Sequence, residues 1–158
     1  MIATASGDKL EKCLNLGADY AVNHRKEDWS KEVYKITKDI ATKDGRRIGI
    51  DVTFDHIGET HFNKQLTLLN YGVTLVSCGA TTGYDAKIDL RHIFFKGINV
   101  LGSTQGTKAE MEAGLYWMGK GKIKAEIDSI YSFEQAAEAH TKMLKGNFFG
   151  KIIMKPEN

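Results

Sequence analysis

The sequence predicts an α/β fold built on a doubly wound, mostly parallel sheet with helices on both faces. Segments whose apolar residues recur at every second position alternate with segments whose apolar residues are three and four apart, almost throughout the 158 residues. This alternation is typical of parallel strands joined by right-handed crossovers. The clearest strand covers 48–54, where apolar residues alternate with small or polar ones, and a helical pattern follows it at 62–69.

Composition indicates one globular domain over residues 1–158. Hydrophobic residues make up 42% and charged residues 27%, which is ordinary for a folded domain of this length. A net charge of +2 without a lysine or arginine block gives no reason to expect nucleic acid. There is no signal peptide and no apolar run that could span a membrane, so we expect a cytoplasmic protein without membrane partners. Cys13 and Cys78 lack partners at metal-ligand spacing and predict neither a metal site nor a disulfide.

The first third of the chain predicts two strand–helix pairs. A short strand over 1–5 leads to a helix that Asp8 caps together with Glu11 and that Gly17 ends. A second strand over 20–22 precedes a long helix. The apolar stripe of that helix consists of Trp29, Val33, Ile36 and Ile40.

The rest of the chain continues the alternation. Further strands are predicted over 73–78, 98–101, 127–131 and 150–154. Asp89 caps a short helix between the first two of these strands, and two capping boxes, Thr107 with Glu110 and Ser132 with Gln135, begin the last two helices. The first of these two helices is predicted to pack its stripe of Met111, Leu115 and Met118 in the core. The second is predicted to bury Ala136, His140, Met143 and Leu144.

Small or polar residues stand at the ends of the predicted strands, where open α/β sheets bind their ligands. Such residues let a flat ligand approach the backbone closely. The sequence contains no Gly-x-Gly-x-x-Gly, no Walker loop, no Gly-x-Ser-x-Gly and no zinc-ligand spacing. From the pattern alone, a nucleotide cleft and ordinary loop chemistry both remain open. The runs concerned are 6–7, 23–25, 55–58, 78–81 and 102–104.

Several motifs, in chain order, carry a more specific resemblance. They include the run over 2–13, Leu-Gly-Ala-Asp at 16–19, Val-Thr-Phe-Asp-His-Ile-Gly at 52–58, Leu-Val-Ser-Cys-Gly-Ala-Thr-Thr-Gly-Tyr at 75–84 and Asn-Phe-Phe-Gly-Lys at 147–151. Together they resemble the medium-chain dehydrogenase/reductase superfamily, and within it the zinc-type alcohol dehydrogenases and their quinone oxidoreductase relatives. The resemblance extends over essentially the whole chain.

The resemblance implies a truncated Rossmann-like domain. The chain is similar to a dinucleotide-binding domain without its first strand, Gly-rich turn and first helix, and nothing in it resembles the GroES-like catalytic domain of the family. In the sheet order 3-2-1-4-5-6 the first strand is central. The second and fourth strands of the family fold are therefore expected to lack a neighbour here.

The resemblance also implies a cofactor and its contacts. Ser6 and Lys9 match the turn that meets the adenosine ribose, and a hydroxyl and a lysine without an acid resemble the pattern that prefers NADP(H) over NAD(H). His24 and Arg25 match the segment near the adenine. Neither a catalytic residue nor a zinc ligand is matched in this chain. The strand ends that would line the cofactor are Asp55, His56, Ile57, Gly58, Cys78, Gly79, Ala80 and Thr81, and the nicotinamide-side wall is Ser103, Phe148, Phe149 and Lys151.

Two functional hypotheses follow. The first is the cofactor-binding portion of an oxidoreductase that transfers hydride between NADPH and an alcohol or aldehyde, or a quinone or enone, inactive by itself because the catalytic domain is missing. The second is a stand-alone, non-catalytic module that binds a nucleotide or associates with itself. Unpaired central strands predict a homo-oligomer formed through sheet edges.

Overall fold

The structure, a computed structural model, describes residues 1–156. Strands and helices alternate along the whole described chain, as the sequence predicts. The elements are β1 (Ile2–Ala5), α1 (Lys9–Asn15), β2 (Tyr20–Asn23), α2 (Trp29–Asp44), β3 (Ile50–Asp55), α3 (Glu59–Leu68), β4 (Leu69–Ser77), α4 (Leu90–Lys96), β5 (Asn99–Gly102), α5 (Lys108–Gly119), β6 (Ile127–Ser132), α6 (Ala136–Lys145) and β7 (Lys151–Lys155).

The strands form three parallel sheets in two compact units. The first unit, Met1–Thr104, contains the pair β1–β2 and the three-stranded sheet β3–β4–β5. The second unit, from Gln105 onward, contains the pair β6–β7. Every pairing is parallel. The predicted α/β class with parallel strands is confirmed, and the strands fall into separate sheets because β1 and β3 each pair on one side only within the described residues.

Strand β3, which pairs only with β4 within the described residues, also carries exposed apolar side chains. Val52 is 52% exposed and Phe54 76% exposed. Ile50 belongs to the same alternating series but packs against the core. A register shift between Ile50 and Val52 separates their environments. Beyond this shift, the apolar side of β3 lacks the cover that a central strand of a doubly wound sheet normally has.

The core of the first unit consists of two clusters joined through Ile50. One contains Leu66, Leu69, Leu75 and Ile98, and the other contains Val22, Trp29 and Val33. Ile50 of β3 packs against both clusters, and Ile2 of β1 packs against the second. Helix α2 thus holds the two sheets of this unit on a common apolar support, although their strands are not hydrogen-bonded to each other.

Helix α6 does not bury the face that its sequence predicts. His140 is exposed, Met143 is 59% exposed and Leu144 is 89% exposed. Ala139 is the buried residue of this helix, at 4% exposure. The prediction was wrong because α6 buries Ala139, and its Lys142 donates a hydrogen bond to the Ser129 hydroxyl of β6.

Three other predictions, one of packing and two of capping, also need correction. The α5 stripe of Met111, Leu115 and Met118 is between 43% and 65% exposed rather than buried. Asp8 makes no capping hydrogen bond and instead pairs with Lys12 one turn along. Gln135 is itself the N-cap of α6, and its side chain accepts a hydrogen bond from the Ser132 amide, so only half of that capping box exists. The Thr107–Glu110 capping box and the Asp89 cap are confirmed.

Lys96 of α4 closes the end of α3. Its ammonium group donates hydrogen bonds to the carbonyls of Leu66 at 3.2 Å, Thr67 at 2.8 Å and Leu69 at 2.8 Å. The last carbonyls of a helix lack intrahelical partners, so a cation placed there satisfies both hydrogen bonding and the helix dipole. Burial lowers the pKa of Lys96. The contact fixes α4 against α3 and against the beginning of β4.

Lys96→Met is therefore expected to destabilise the protein by about 1–2 kcal/mol, because three charge-assisted hydrogen bonds are lost while the aliphatic stem is kept. Equilibrium urea unfolding followed by circular dichroism measures the change. Lys38→Met, at an exposed position of α2, is the matched control and is expected to shift stability by less than about 0.5 kcal/mol. Equal effects of the two substitutions would contradict a capping role for Lys96.

Candidate functional site

Two loops at the carboxyl ends of β3 and β4 are held together by backbone hydrogen bonds. The amide of Cys78 donates to the Asp55 carbonyl at 2.8 Å. Thr81 donates to the His56 carbonyl through its amide at 3.2 Å and its hydroxyl at 2.7 Å. Thr82 does the same to the Ile57 carbonyl, at 2.8 Å in both cases. The structure thus brings the predicted runs 55–58 and 78–81 into one rigid surface.

The carboxylate of Asp55 fixes the first of these loops from inside. Asp55 is 1% exposed. Its carboxylate accepts hydrogen bonds from the amides of Ile57 at 3.2 Å and Gly58 at 3.1 Å, and from the Gln65 side chain at 2.6 Å. A buried carboxylate needs such partners, since an uncompensated one would be very costly. The Asp55 side chain therefore organises the turn into α3, while the neighbouring His56 is exposed.

Glycines allow the two loops to approach at the distance of backbone contact. Gly58 has φ 83°, and a Cβ placed there would lie 2.6 Å from the Gly83 carbonyl oxygen and 2.9 Å from the Ala80 Cα. A Cβ on Gly79 would lie 3.1 Å from the His56 carbonyl oxygen. Position 58 requires glycine, because a side chain there would push the loops apart, whereas a Cβ at position 79 would need a shift of only a few tenths of an ångström. The contacts between the two loops are made largely by backbone atoms.

The ends of β1 and β2 carry positive charge. Ser6 and Lys9 follow β1, and the amide of Lys9 donates to the Ser6 carbonyl at 3.3 Å. His24 follows β2 and donates its amide to the Ala5 carbonyl at 3.0 Å. The amide of Arg25 donates to the Asn23 side chain at 3.0 Å. Backbone pairing therefore places the predicted Ser6–Lys9 and His24–Arg25 segments side by side.

His61, which the sequence did not predict as a site residue, lies beside His24. The ring of His61, in the first turn of α3, lies 5.4 Å from the His24 ring and 5.2 Å from the Trp29 ring, edge-on to both. Burial lowers the pKa of His24, and the charges of Arg25 and Lys9 lower it further. Burial is also the main cause that lowers the pKa of His61. No spacing in the sequence links His61 to residue 24, because the contact exists only once α3 packs beside β2.

The remaining predicted site residues fall into two places, the end of β5 and the second unit. Ser103 follows β5, is exposed, and donates its amide to the Ser77 carbonyl at 2.8 Å, so it belongs to the same strand-end surface as Cys78. The predicted nicotinamide-side residues Phe148, Phe149 and Lys151 belong to the second unit, in the turn between α6 and β7 and at the start of β7.

An aspartate also fixes the turn in the second unit. The amide of Phe149 donates to the Asp128 carboxylate at 2.9 Å. Asp128 forms an ion pair with Lys142, whose ammonium group also donates to the Ser129 hydroxyl at 3.2 Å. Hydrogen bonds from Lys142 and then from the Phe149 amide lower the pKa of Asp128 to about 2. The carboxylate thus stays charged over the physiological range and holds the Phe148–Phe149 turn on β6.

A family model for zinc-binding dehydrogenases matches residues 1–120. The chain belongs to this family. The match includes the whole first unit and confirms the predicted resemblance to medium-chain dehydrogenases/reductases.

No group of three or more potential metal ligands occurs within residues 1–156. Across the same residues, no helix has both the length and the apolar character needed to cross a membrane.

Individual relatives agree with the family. The dehydrogenase FUB6 of Fusarium oxysporum f. sp. lycopersici is 28% identical over 97% of this chain, which covers 45% of that protein. The crotonyl-CoA reductase of Streptomyces collinus is 28% identical over 97% of the chain, which covers 37% of that protein. A solved structure of an NAD-dependent alcohol dehydrogenase superposes with a TM-score of 0.84 at 32% identity, over 98% of this chain and 43% of that one. The chain spans less than half the length of these relatives.

Gly58→Ala is expected to cost about 3 kcal/mol or more, because the new methyl group meets the Gly83 carbonyl in a backbone conformation that is already unfavourable for alanine. Gly72→Ala is the matched control, since Gly72 has φ 71° and open space around the position of a Cβ; its cost is expected near 1–2 kcal/mol. Urea unfolding of both variants measures the difference. Similar losses would show that the loops 55–58 and 78–83 are not tightly packed.

Proposed function

We propose that this chain is the cofactor-binding portion of an NADP(H)-dependent oxidoreductase. The observation that carries the proposal is the strand-end surface of the first unit. It combines the hydrogen-bonded loops 55–58 and 78–81 with the basic ends of β1 and β2. Parallel sheets bind nucleotides at this edge, and the zinc-binding dehydrogenase family supplies the reaction class.

The proposed assignment of contacts follows this surface. Ser6, Lys9, His24 and Arg25 hold the adenosine end. The loops carrying His56–Gly58 and Cys78–Thr81 form a wall along the dinucleotide, with Asp55 setting the first loop from below, and Ser103 extends the wall. When bound, the nicotinamide supplies the hydride chemistry; the chain supplies binding and orientation.

The preference for NADP(H) rests on charge. The residue directly after β1 is Ser6 and not an acid whose carboxylate would accept the ribose 2′-hydroxyl of NAD, and the charges of Lys9 and Arg25 act on His24. A 2′-phosphate carries close to two negative charges and is held well by such groups. The superposed alcohol dehydrogenase is described as NAD-dependent, so this charge pattern would distinguish the present chain from that neighbour.

The substrate is proposed from the relatives' reactions. The whole enzyme would transfer hydride between NADPH and an alcohol or aldehyde, or a quinone or enone. The relatives are named a dehydrogenase and a crotonyl-CoA reductase. Acid–base groups and any zinc would come from the GroES-like domain that the family resemblance implies, since residues 1–156 hold no metal-ligand cluster. On this proposal the chain alone binds the cofactor and does not turn over substrate.

A second candidate function, a self-associating nucleotide-binding module, is favoured by the unpaired strands. Within the described residues, β1 hydrogen-bonds only to β2 and β3 only to β4. Val52 and Phe54 lie exposed on β3. Such an edge is a template for pairing with another chain. We propose that the isolated chain forms homo-oligomers through these edges.

Fluorescence titration with NADPH and NADH tests the cofactor assignment. The chain is expected to bind NADPH with a Kd below about 1 mM. Lys9→Ala with Arg25→Ala is expected to weaken NADPH binding about tenfold or more, through lost charge-assisted hydrogen bonds, and to leave NADH binding within about threefold. Lys43→Ala, at the far end of α2, is the control. Absence of saturable NADPH binding, or equal losses for both cofactors, would refute the assignment.

Multi-angle light scattering tests self-association. The chain is expected to be a dimer or larger, and Phe54→Lys is expected to shift it toward monomer because a charge opposes pairing at the edge of β3. Tyr84→Lys replaces a loop aromatic that is 95% exposed and is expected to leave the mass unchanged. A monomeric wild-type chain would rule out edge pairing.

A further inference from the structure

His24 and His61 form a paired histidine site for which the dinucleotide fold alone gives no reason. His24 follows β2, and His61 belongs to α3, which comes after β3 in the chain. Their rings meet edge-to-face at 5.4 Å, with an interplanar angle of 88°. Trp29 supports His61 from another direction at 5.2 Å and 85°. Because Trp29 is 4% exposed, it provides a fixed apolar backing that orients the His61 ring.

The groups that face this pair are mostly cationic. His24 faces Arg25 and Lys9. Besides burial, the charges of His24 and Lys64 lower the pKa of His61, and the charge of Asp55 raises it. The Asp55 carboxylate is buried and already accepts hydrogen bonds from two amides and from Gln65. The charges of three permanent cations therefore act on the two imidazoles, and the carboxylate that opposes them, that of Asp55, is engaged inside the turn. Such a cluster attracts anions.

The same surroundings oppose protonation of the empty site. Burial and the adjacent cations lower the pKa of both histidines from the ordinary value of 6.5. A bound anion would oppose the effect of the neighbouring cations on these pKa values, since an opposite charge within a few ångströms favours the imidazolium form. Proton uptake and anion binding are then linked: the anion raises the pKa of the histidines, and protonated histidines bind the anion more tightly.

We propose that His24 and His61 form a proton-linked anion site that binds a phosphate monoester dianion and takes up a proton as it does so. His24, on which the charges of Lys9 and Arg25 act, contacts the anion. His61 is a positioning residue: Trp29 backs its ring, and the His61 ring packs edge-to-face against that of His24. The identity of the natural ligand, the 2′-phosphate of NADP(H), rests on the proposed function. The site itself rests on the histidine pair and its cations.

The direction of the pH dependence follows from this linkage. Affinity for the dianion is highest where the bound-state histidines are protonated and falls as the pH rises through their bound-state pKa. A rise of about one pKa unit on binding corresponds to a tenfold gain in affinity. We therefore expect the site to bind sulfate, which keeps its double charge over this range, about tenfold more tightly near pH 5.5 than near pH 8.

Histidine titration by NMR, with sulfate as the probe at constant ionic strength, tests the site in the wild-type chain. Without sulfate, the pKa values of His24 and His61 are expected below 6.5. With sulfate, both pKa values are expected to rise, while the ring signals of His140, which is exposed on α6 in the second unit, are expected not to respond to sulfate. Equal shifts at His140, or none at His24 and His61, would overturn the proposal.

Calorimetry separates this inference from the proposed function. Adenosine 2′,5′-bisphosphate is titrated in two buffers of different ionisation enthalpy, which gives the number of protons taken up. Uptake is expected in the wild type, less in His61→Phe, which keeps an aromatic ring against Trp29, and none in His24→Phe with His61→Phe. NADPH binding without proton uptake would overturn the inference and leave the cofactor assignment standing. If sulfate shifts the pKa values of the two histidines but NADPH does not bind, the anion site stands and the cofactor assignment is overturned.

Discussion

The buried carboxylate of Asp55 is the interaction on which the first unit depends. It is the residue where β3 ends, and its hydrogen bonds to Ile57, Gly58 and Gln65 determine how the chain turns into α3. The direction of α3 places Leu66 in the core and His61 beside His24. The turn also presents the carbonyls of His56 and Ile57 to Thr81 and Thr82. One desolvated acid thus connects core packing with the proposed ligand surface.

In the second unit, too, an aspartate fixes a loop by accepting a backbone amide, but its charge is balanced by a lysine. Asp128 lies in β6 and accepts the Phe149 amide, as Asp55 accepts amides of its own loop. Its remaining charge is balanced by Lys142 rather than by an amide side chain. Placing an acid against backbone amides is an economical way to fix a loop at a strand end, because each hydrogen bond to a carboxylate is stronger than one between neutral groups. Both aspartates lie under residues that the family resemblance assigns to the cofactor.

The strand edges show how much of a sheet's stability lies in its neighbours. Helix α2 holds β1 and β3 on a shared apolar cluster, yet each strand keeps one side unpaired within the described residues. Exposure of Val52 and Phe54 follows directly, since the interior side chains of a doubly wound sheet are buried only when the adjacent strand and helix are present. This is consistent with a chain that matches less than half of its relatives' length.

The sequence by itself determined the α/β class, the order of the elements, the family and the strand ends where small and polar residues cluster, because these follow from local periodicity, turn chemistry and short motifs. Only the tertiary structure decided which apolar faces are buried: α6 packs through Ala139 rather than Leu144. It also revealed the Lys96 cap and the His24–His61 pair. Burial and long-range pairing depend on what packs against an element, and residues 24 and 61 become neighbours only when β2 and α3 are brought together in space.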